Sequence, residues 1–297
     1  MTSILIAAPV RERPHILREY VNGLNGLDTD GLEVSCFFVL NGENRDEARA
    51  ILDGLRYPTE FYEWDDAGAY NRDEETHRWT RDNLSNVAAM KNLIIERACG
   101  PIRPIDMIAG VASTKTGVQV ITLSAPDKLR PSHLFLVDSD LVLHPKTLRQ
   151  LVAANMPIIA EVYWTRWNPG LPPQPNAWDL DFYTFIVDKQ GDEPGAKYRV
   201  PGLYKVGGTG ACILIRRDVL EAGIRYEPID NVSWSQWEDR AFCVRAAVHG
   251  FGIWLDTHYP ATHLYRESEY EAYMRGKTDG KQSVSWVPAP RPVQMAG

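Results

Sequence analysis

The sequence predicts an α/β fold: a mostly parallel sheet flanked by helices, built as a single globular domain. Three observations carry this. Short, almost wholly apolar runs alternate along the chain with segments whose apolar residues recur at helical spacing. That alternation places helices on both faces of a parallel sheet, because parallel neighbours need long crossover connections. The length, 297 residues, is ample for one large α/β core.

The elements follow in order. Ile4–Ala8 is a buried first strand ending at Pro9. Pro14 stands where a first helical residue belongs, and Ile16, Leu17, Tyr20, Val21 and Leu24 follow at helical spacing. Leu32–Leu40 is a second strand closed by Asn41-Gly42. Arg45–Leu55 is a helix with Ala48, Ile51, Leu52 and Leu55 on one face, and Thr59–Trp64 a third strand. Asp65–Arg81 is a polar surface loop, and Asn83–Cys99 a helix. Gly100–Arg130 breaks the rhythm and reads as an insertion or a mobile loop, with a candidate strand at Val118–Leu123. His133–Val137 is a buried strand closed by Asp138-Ser139-Asp140. Lys146–Ala154 is a helix behind Pro145, and Ile158–Tyr163 a strand. Trp164–Asp181 is rich in Pro and Trp. Phe182–Val187 and Gly210–Ile215 are strands, Glu238–His249 is a helix, and Gly252–Leu255 is a last strand.

Composition excludes several classes. There are 32 Lys and Arg against 39 Asp and Glu, a formal net charge of −7. The basic footprint of a phosphate-backbone binder is missing, so nucleic acid is disfavoured as a partner. No run approaches the roughly 20 apolar residues of a membrane span. Met1–Val10 has no basic region before its apolar run and does not read as a secretion signal. Cys36, Cys99, Cys212 and Cys243 are far apart, with no C-x-x-C pair. They read as reduced thiols of a cytoplasmic protein.

Asp138-Ser139-Asp140 is the most informative feature. Ligands of open α/β sheets bind outside the carboxyl ends of strands. Two carboxylates buried there are costly unless paired. A Mg²⁺-type cation shared with a substrate phosphate resolves that cost. In extended chain, positions i and i+2 face the same way, so Asp138 and Asp140 can approach one ion. The competing reading is a helix-capping Asp140.

On these residues the chain resembles GT-A fold glycosyltransferases, especially the family 2-like group. "HLFLVDSDLVL" looks like their D-x-D strand, and "SILIAAPVRERPHIL" resembles the first strand and nucleotide-binding loop. "NVAAMKNLIIERA" resembles the helix that precedes the D-x-D strand. "GGTGACILIRRDVL" is similar to the glycine turn and strand behind the acceptor site. "WEDRAFCVRAAVHGFGIWLDTHYPATHL" is similar to the E-D helix, the following strand and the late histidine. The resemblance covers roughly residues 3 to 265. It departs where family 2 enzymes often carry a base-reading Asp, since this chain has Leu40-Asn41. The usual Asn of the first loop is also replaced, near Glu12.

The resemblance implies a GT-A, Rossmann-like domain over 1–265, with a nucleotide-sugar-binding half at 1–140 and an acceptor-binding half at 141–265. Residues 266–297 would be a tail or flap. It implies Mn²⁺ or Mg²⁺ as cofactor and a nucleotide diphosphate sugar as donor, UDP first and GDP next. Transfer to a sugar-accepting molecule would invert the anomeric centre. Asp138 and Asp140 would hold the metal with His263, for which His258 competes. The cation would neutralise the leaving diphosphate.

Glu238-Asp239 opens a helix, where acids favour the macrodipole in any case. The family places a general base on the Asp of its E-D motif, so Asp239 is the catalytic candidate and Glu238 an acceptor contact. Ala8, Pro9, Val10 and Arg11 would line the nucleoside pocket, although Arg11 and Arg13 read equally as solvated surface charge. Asn41 and Asp65 are the candidates for reading base and ribose. Lys91 would neutralise the diphosphate alongside Asp138 and Ser139, or else be an exposed helical lysine. Gly207-Gly208-Thr209-Gly210 lacks the P-loop signature and does not open a helix. Its glycines would admit a ligand close to the backbone, with Gly208 at the acceptor. Trp164, Trp167, Trp178, Trp234 and Trp237 suit sugar faces, with Trp164 and Trp237 on the acceptor wall. Two other readings compete. A sugar-phosphate nucleotidyltransferase lacks its Gly-rich first loop here. A carbohydrate-binding or degenerate transferase would be expected to have lost a carboxylate.

Overall fold

The structure is a computed structural model that describes residues 1–65, 80–99, 130–167, 170, 172–179, 195–232 and 237–278. Most of the loop expected at Asp65–Arg81 and of the insertion at Gly100–Arg130 lies outside them. So do the strand expected at Phe182–Val187, Trp234 and residues 279–297.

The first half is a run of parallel crossovers. Strand β1 (Thr2–Val10) leads through α1 (Pro14–Asn25) to β2 (Leu32–Asn41), and α2 (Arg45–Leu52) leads to β3 (Thr59–Trp64). Helix α3 (Arg81–Cys99) precedes β4 (His133–Leu136), which returns beside β1. After β4 come β5 (Leu141–Val142), α4 (Thr147–Ala154), β6 (Ile158–Thr165), β7 (Gln174–Pro175) and β8 (Ala177–Trp178). A 3₁₀ turn (Ala196–Arg199), β9 (Leu203–Val206), β10 (Gly208–Thr209), β11 (Ile213–Arg216) and α5 (Arg217–Glu221) follow. The described chain ends with α6 (Glu238–Val248), β12 (Ile253–His263) and α7 (Glu267–Thr278).

The sheet order is β3-β2-β1-β4-β11-β6-β12-β5. Strands β3, β2, β1 and β4 are parallel, and β11 runs antiparallel between β4 and β6. Strand β6 therefore points the same way as β4, and β12 pairs parallel with β6. The carboxyl ends of β1, β2, β3, β4, β6 and β12 all emerge at one edge. Because β11 is reversed, its entry loop is delivered to that same edge.

Strand alternation builds two cores. Ile4, Ile6, Ala8 and Val10 pack under α1, α2 and α4, while Leu5 and Ala7 pack on the opposite face with residues of α3, α5 and α6. Both faces are covered, which is why the strand reads as a nearly unbroken apolar run. Ile16, Leu17, Tyr20, Val21 and Leu24 are the buried stripe of α1. Each such side chain contributes roughly 1.5–3 kcal/mol. Helix α4 stops where Asn155 takes a left-handed conformation at φ 51°.

Two expectations are corrected. The strand expected at Gly210–Ile215 begins only at Ile213, because Cys212 adopts φ 63° and breaks the extended chain. The last strand is not confined to Gly252–Leu255 but runs to His263. A register shift between Asp256 and Ala261 lets Pro260 sit in it without spoiling the ladder. In the stretch after Tyr265, expected as a tail or flap, α7 occupies Glu267–Thr278. It is clasped to α1: Arg13 and His15 meet Glu267, and Lys277 meets the buried Glu19 at 2.6 Å.

Candidate active site

The turn after β4 is fixed from three sides. Val137 N–H donates to the Ala7 carbonyl, extending the β1 pairing, and the Tyr20 hydroxyl donates to the Val137 carbonyl. Leu141 N–H closes the turn on the Asp138 carbonyl. Leu264 N–H reaches the Asp140 carbonyl at 2.8 Å, and β5 pairs with Thr262 and His263 of β12. These bonds carry His263 to the acidic turn. Its Nε2 lies 3.2 Å from Asp140 Oδ2, and its Nδ1 lies 2.9 Å from Thr165 Oγ1 at the end of β6. Burial alone would lower the His263 pKa, but the Asp140 carboxylate outweighs it and the net shift is upward.

A second acidic pair arrives from α6. Asp239 Oδ1 accepts from Lys91 Nζ at 2.8 Å, and Glu238 Oε1 accepts from the same nitrogen at 3.1 Å. Lys91 is 3% exposed. Burial disfavours its charge, but Asp239, Glu238 and Asp138 together raise its pKa well above the ordinary value. Its ammonium also lies 5.0 Å from the ring centre of Tyr226, which stacks on Phe242. Asn92, the next residue of α3, bonds Tyr226 N–H and Glu227, so the helix that carries Lys91 is anchored.

Among the described residues acids outnumber cations here: Asp138, Asp140, Glu238 and Asp239 face Lys91 and His263. Burial pushes Asp138 up to about 7 against the pull of Lys91, with Asp140, Asp239 and Glu238 adding to the rise. Glu238 is raised for the same first reason. A divalent cation fits such a charge excess, and carboxylate oxygens with one imidazole suit Mn²⁺ or Mg²⁺. Among the described residues, however, no three His, Cys, Asp or Glu side chains form a ready metal site by themselves. A cation would therefore need further oxygens, as from a diphosphate.

The other sequence candidates separate into those near this centre and those elsewhere. Ala8 and Val10 have core side chains and can line a pocket only through their backbone, because alternation turns them inward. Pro9 and Arg11 are half-buried. Arg11 lies over the turn after β2, where Gly42 at φ 98° has no Cβ to meet it. Asn41 ends β2 with its Oδ1 buried and without a hydrogen-bond partner among the described residues. Asp65 instead has an almost fully exposed side chain, paired with Arg45 at 3.2 Å. Ser139 is buried within the acidic turn. Lys91 is not an exposed helical lysine: it is buried, and two of its three N–H donors go to Glu238 and Asp239. His258 bonds Asp256, away from Asp140.

The glycine turn also has another cause than the expected one. A Cβ at Gly208 would lie 2.2 Å from the Trp178 ring, so that glycine admits an indole rather than a ligand. At Gly210 a Cβ would lie 2.9 Å from Asp239 Oδ2, so this glycine makes room for the E-D carboxylate. Trp178 is thus core, and Trp164 has the Arg199 guanidinium 3.8 Å from its ring centre, covering one face. Trp237 immediately precedes α6, beside Glu238. Trp167 is exposed and meets Tyr265 edge-on.

Sequence reasoning missed Tyr163 and Thr165 on β6, and two buried donors. The Tyr163 ring meets His263 edge-on at 4.9 Å, and burial followed by Asp138, Asp239 and Asp140 raises its pKa. Trp64 Nε1 and Asn83 Nδ2 are buried without partners among the described residues. Trp64 is the register partner of Asn41. For Trp64 and Thr165, a polar tip at a strand end was the available signal.

All four cysteines are free. Among the described residues no helix is long and apolar enough to cross a membrane. No protein-family profile matches the chain, and no curated protein matches it. Among solved structures it is similar to one titled "Crystal structure of S. aureus TarS 1-349", at 12% identity and a TM-score of 0.47. The match covers 88% of this chain, which spans 60% of that one.

Proposed function

We propose that this chain is a metal-dependent glycosyltransferase acting on a nucleotide diphosphate sugar. The observation that carries the reading is the meeting of two acidic pairs, Asp138/Asp140 and Glu238/Asp239. They come from opposite halves of the chain to one edge of the sheet, where they outnumber Lys91 and His263.

In this reading Asp138, Asp140 and His263 hold Mn²⁺ or Mg²⁺ together with the donor diphosphate. The bound cation supplies Lewis acidity to the leaving group. Asp239 takes the proton of the acceptor hydroxyl through Oδ2, since Lys91 occupies Oδ1. The acceptor oxygen bonds to the anomeric carbon as the bond to the diphosphate breaks, with inversion. Asn41 Oδ1, without a partner among the described residues, is the acceptor offered to an N–H of the base, and UDP, then GDP, is the donor nucleotide taken first. Glu238, Trp237 and Trp164 border the acceptor.

The test is a thermal-shift panel of UDP, GDP, CDP, ADP and TDP with and without Mn²⁺, on wild type and Asp140→Ala. A ligand at 100 times its Kd stabilises the fold by about 2.7 kcal/mol. A nucleotide that shifts the wild-type midpoint only with Mn²⁺, and does not shift the variant, supports the reading. No shift from any of the five with Mn²⁺ overturns it.

A further inference from the structure

We infer that Thr165 is the positioning residue of His263: its hydroxyl accepts the Nδ1 proton of the imidazole and so leaves the Nε2 lone pair for the cation. This rests on the transferase reading above and adds to it the group that sets the tautomer of its histidine.

The sheet itself brings the two residues together. Asp256 pairs with Glu161, but Ala261 pairs with Tyr163, so β12 spends five residues where β6 spends two. Two residues further along each strand, that register places His263 beside Thr165. Without the shift Pro260 would stand there, with no group to ligate a metal. On its other side His263 pairs with Leu141 of β5, which begins directly after Asp140. The imidazole thus bridges two elements. Its Nδ1 lies 2.9 Å from Thr165 Oγ1, and its Nε2 lies 3.2 Å from Asp140 Oδ2.

Chemistry then assigns the nitrogens. A neutral imidazole carries one N–H and one lone pair, and a metal ligand must present the lone pair. Nε2 is the nitrogen turned to the acidic turn, so the proton belongs on Nδ1 and needs an acceptor. Among the described residues Thr165 Oγ1 is the only group that bonds Nδ1, and His263 is the only partner of that hydroxyl. Thr165 is 1% exposed and the His263 side chain 8%, so water is poorly placed to substitute. The rings of Tyr163 and Tyr265, centred 4.9 and 5.2 Å from the imidazole, confine its plane but bond neither nitrogen. A carboxylate in place of the hydroxyl would fix the same tautomer, but it would add another acid to a cluster already in excess. The hydroxyl accepts the proton without adding charge.

The experiment reads the Mn²⁺ concentration that gives half the maximal rise in melting temperature. It is run at a fixed concentration of whichever of UDP, GDP, CDP, ADP and TDP shifts wild type. Thr165→Val keeps the shape and removes the oxygen, and should raise that concentration by about 10–100-fold. Thr165→Ser restores the oxygen and should return close to the wild-type value. In a His263→Ala background Thr165→Val should cost nothing further, because a positioning residue acts only through the group it positions. An equal Mn²⁺ requirement in wild type and Thr165→Val overturns the inference, as does a further loss in the His263→Ala background. A second measurement needs no variant to fold. In wild type with the same diphosphate and diamagnetic Zn²⁺, NMR of ¹⁵N-labelled histidine should find the His263 ring proton on Nδ1, and a proton on Nε2 overturns the inference. Wild type shifted by none of the five diphosphates with Mn²⁺ overturns the transferase reading, and the role of Thr165 with it.

Discussion

Lys91 Nζ lies 2.8 Å from Asp239 Oδ1 and 3.1 Å from Glu238 Oε1, so one ammonium on α3 holds both acids that open α6. Removing one partner of a buried pair leaves an uncompensated charge. Lys91→Met is expected to destabilise the fold by about 3–5 kcal/mol. Adding Glu238→Gln should restore part of the loss, because the stranded carboxylate is then gone. Urea unfolding of the single and double variants checks this, and equal stability of the two would contradict it.

A pH dependence follows from Glu161. It pairs in register with Asp256 across β6 and β12, neither residue is exposed, and its Oε2 has no partner among the described residues. Burial first, then Asp256, raises its pKa well above the ordinary value. A carboxyl raised in the folded state contributes its full stability below its unfolded pKa, about 4.3, and loses it as pH climbs to the folded value. Glu161→Gln, which does not ionise, should therefore gain on wild type as pH rises from 4 to 8, by about 1 kcal/mol or more. Urea midpoints across that range test it, and parallel curves would refute it.

Gly208 lies beneath the Trp178 ring. A methyl group there must displace the indole or the backbone, and overpacking of this kind costs about 1–3 kcal/mol. Gly208→Ala should melt lower than wild type, and Trp178→Leu in the same chain should recover part of the difference. No recovery would mean that the backbone, not the ring, sets the limit.

Asn41→Leu separates binding from folding. The buried Oδ1 has no partner among the described residues, so its loss should leave the melting temperature level or raise it. Under the proposed function the same change should weaken nucleoside diphosphate binding about tenfold. Titration calorimetry with Mn²⁺ present reads the second effect, and undiminished affinity would remove Asn41 from the base pocket.

Much of the fold was legible because its central strands are buried on both faces and its edge strand β3 is rich in aromatic residues. Thr59–Trp64 has the predicted boundaries, and α1 opens at Pro14 as expected. The reversal of β11 was not legible, because an apolar strand carries no mark of its direction. The length of β12 was hidden by Pro260, which reads as a breaker until the register shift removes the need for its N–H. In the site, the acidic pairs stood out by residue type and spacing. Their mutual arrangement did not. The partners of Lys91 are 147 and 148 residues away, and no local pattern announces a lysine whose counter-charges lie on another helix. Gly208 and Gly210 looked alike in sequence, yet one faces an indole and the other a carboxylate. Tyr163 ended an apolar strand and read as core, which its ring is.

The clasp between α7 and α1 has a consequence for the newborn chain. Glu19 is 7% exposed, and its counter-charge, Lys277, lies 258 residues further along. At about 5–20 residues per second, translation separates the two by tens of seconds. Throughout that interval α1 carries an acid whose counter-charge does not yet exist. Helix α1 thus reaches its final electrostatic state only once α7 has been made.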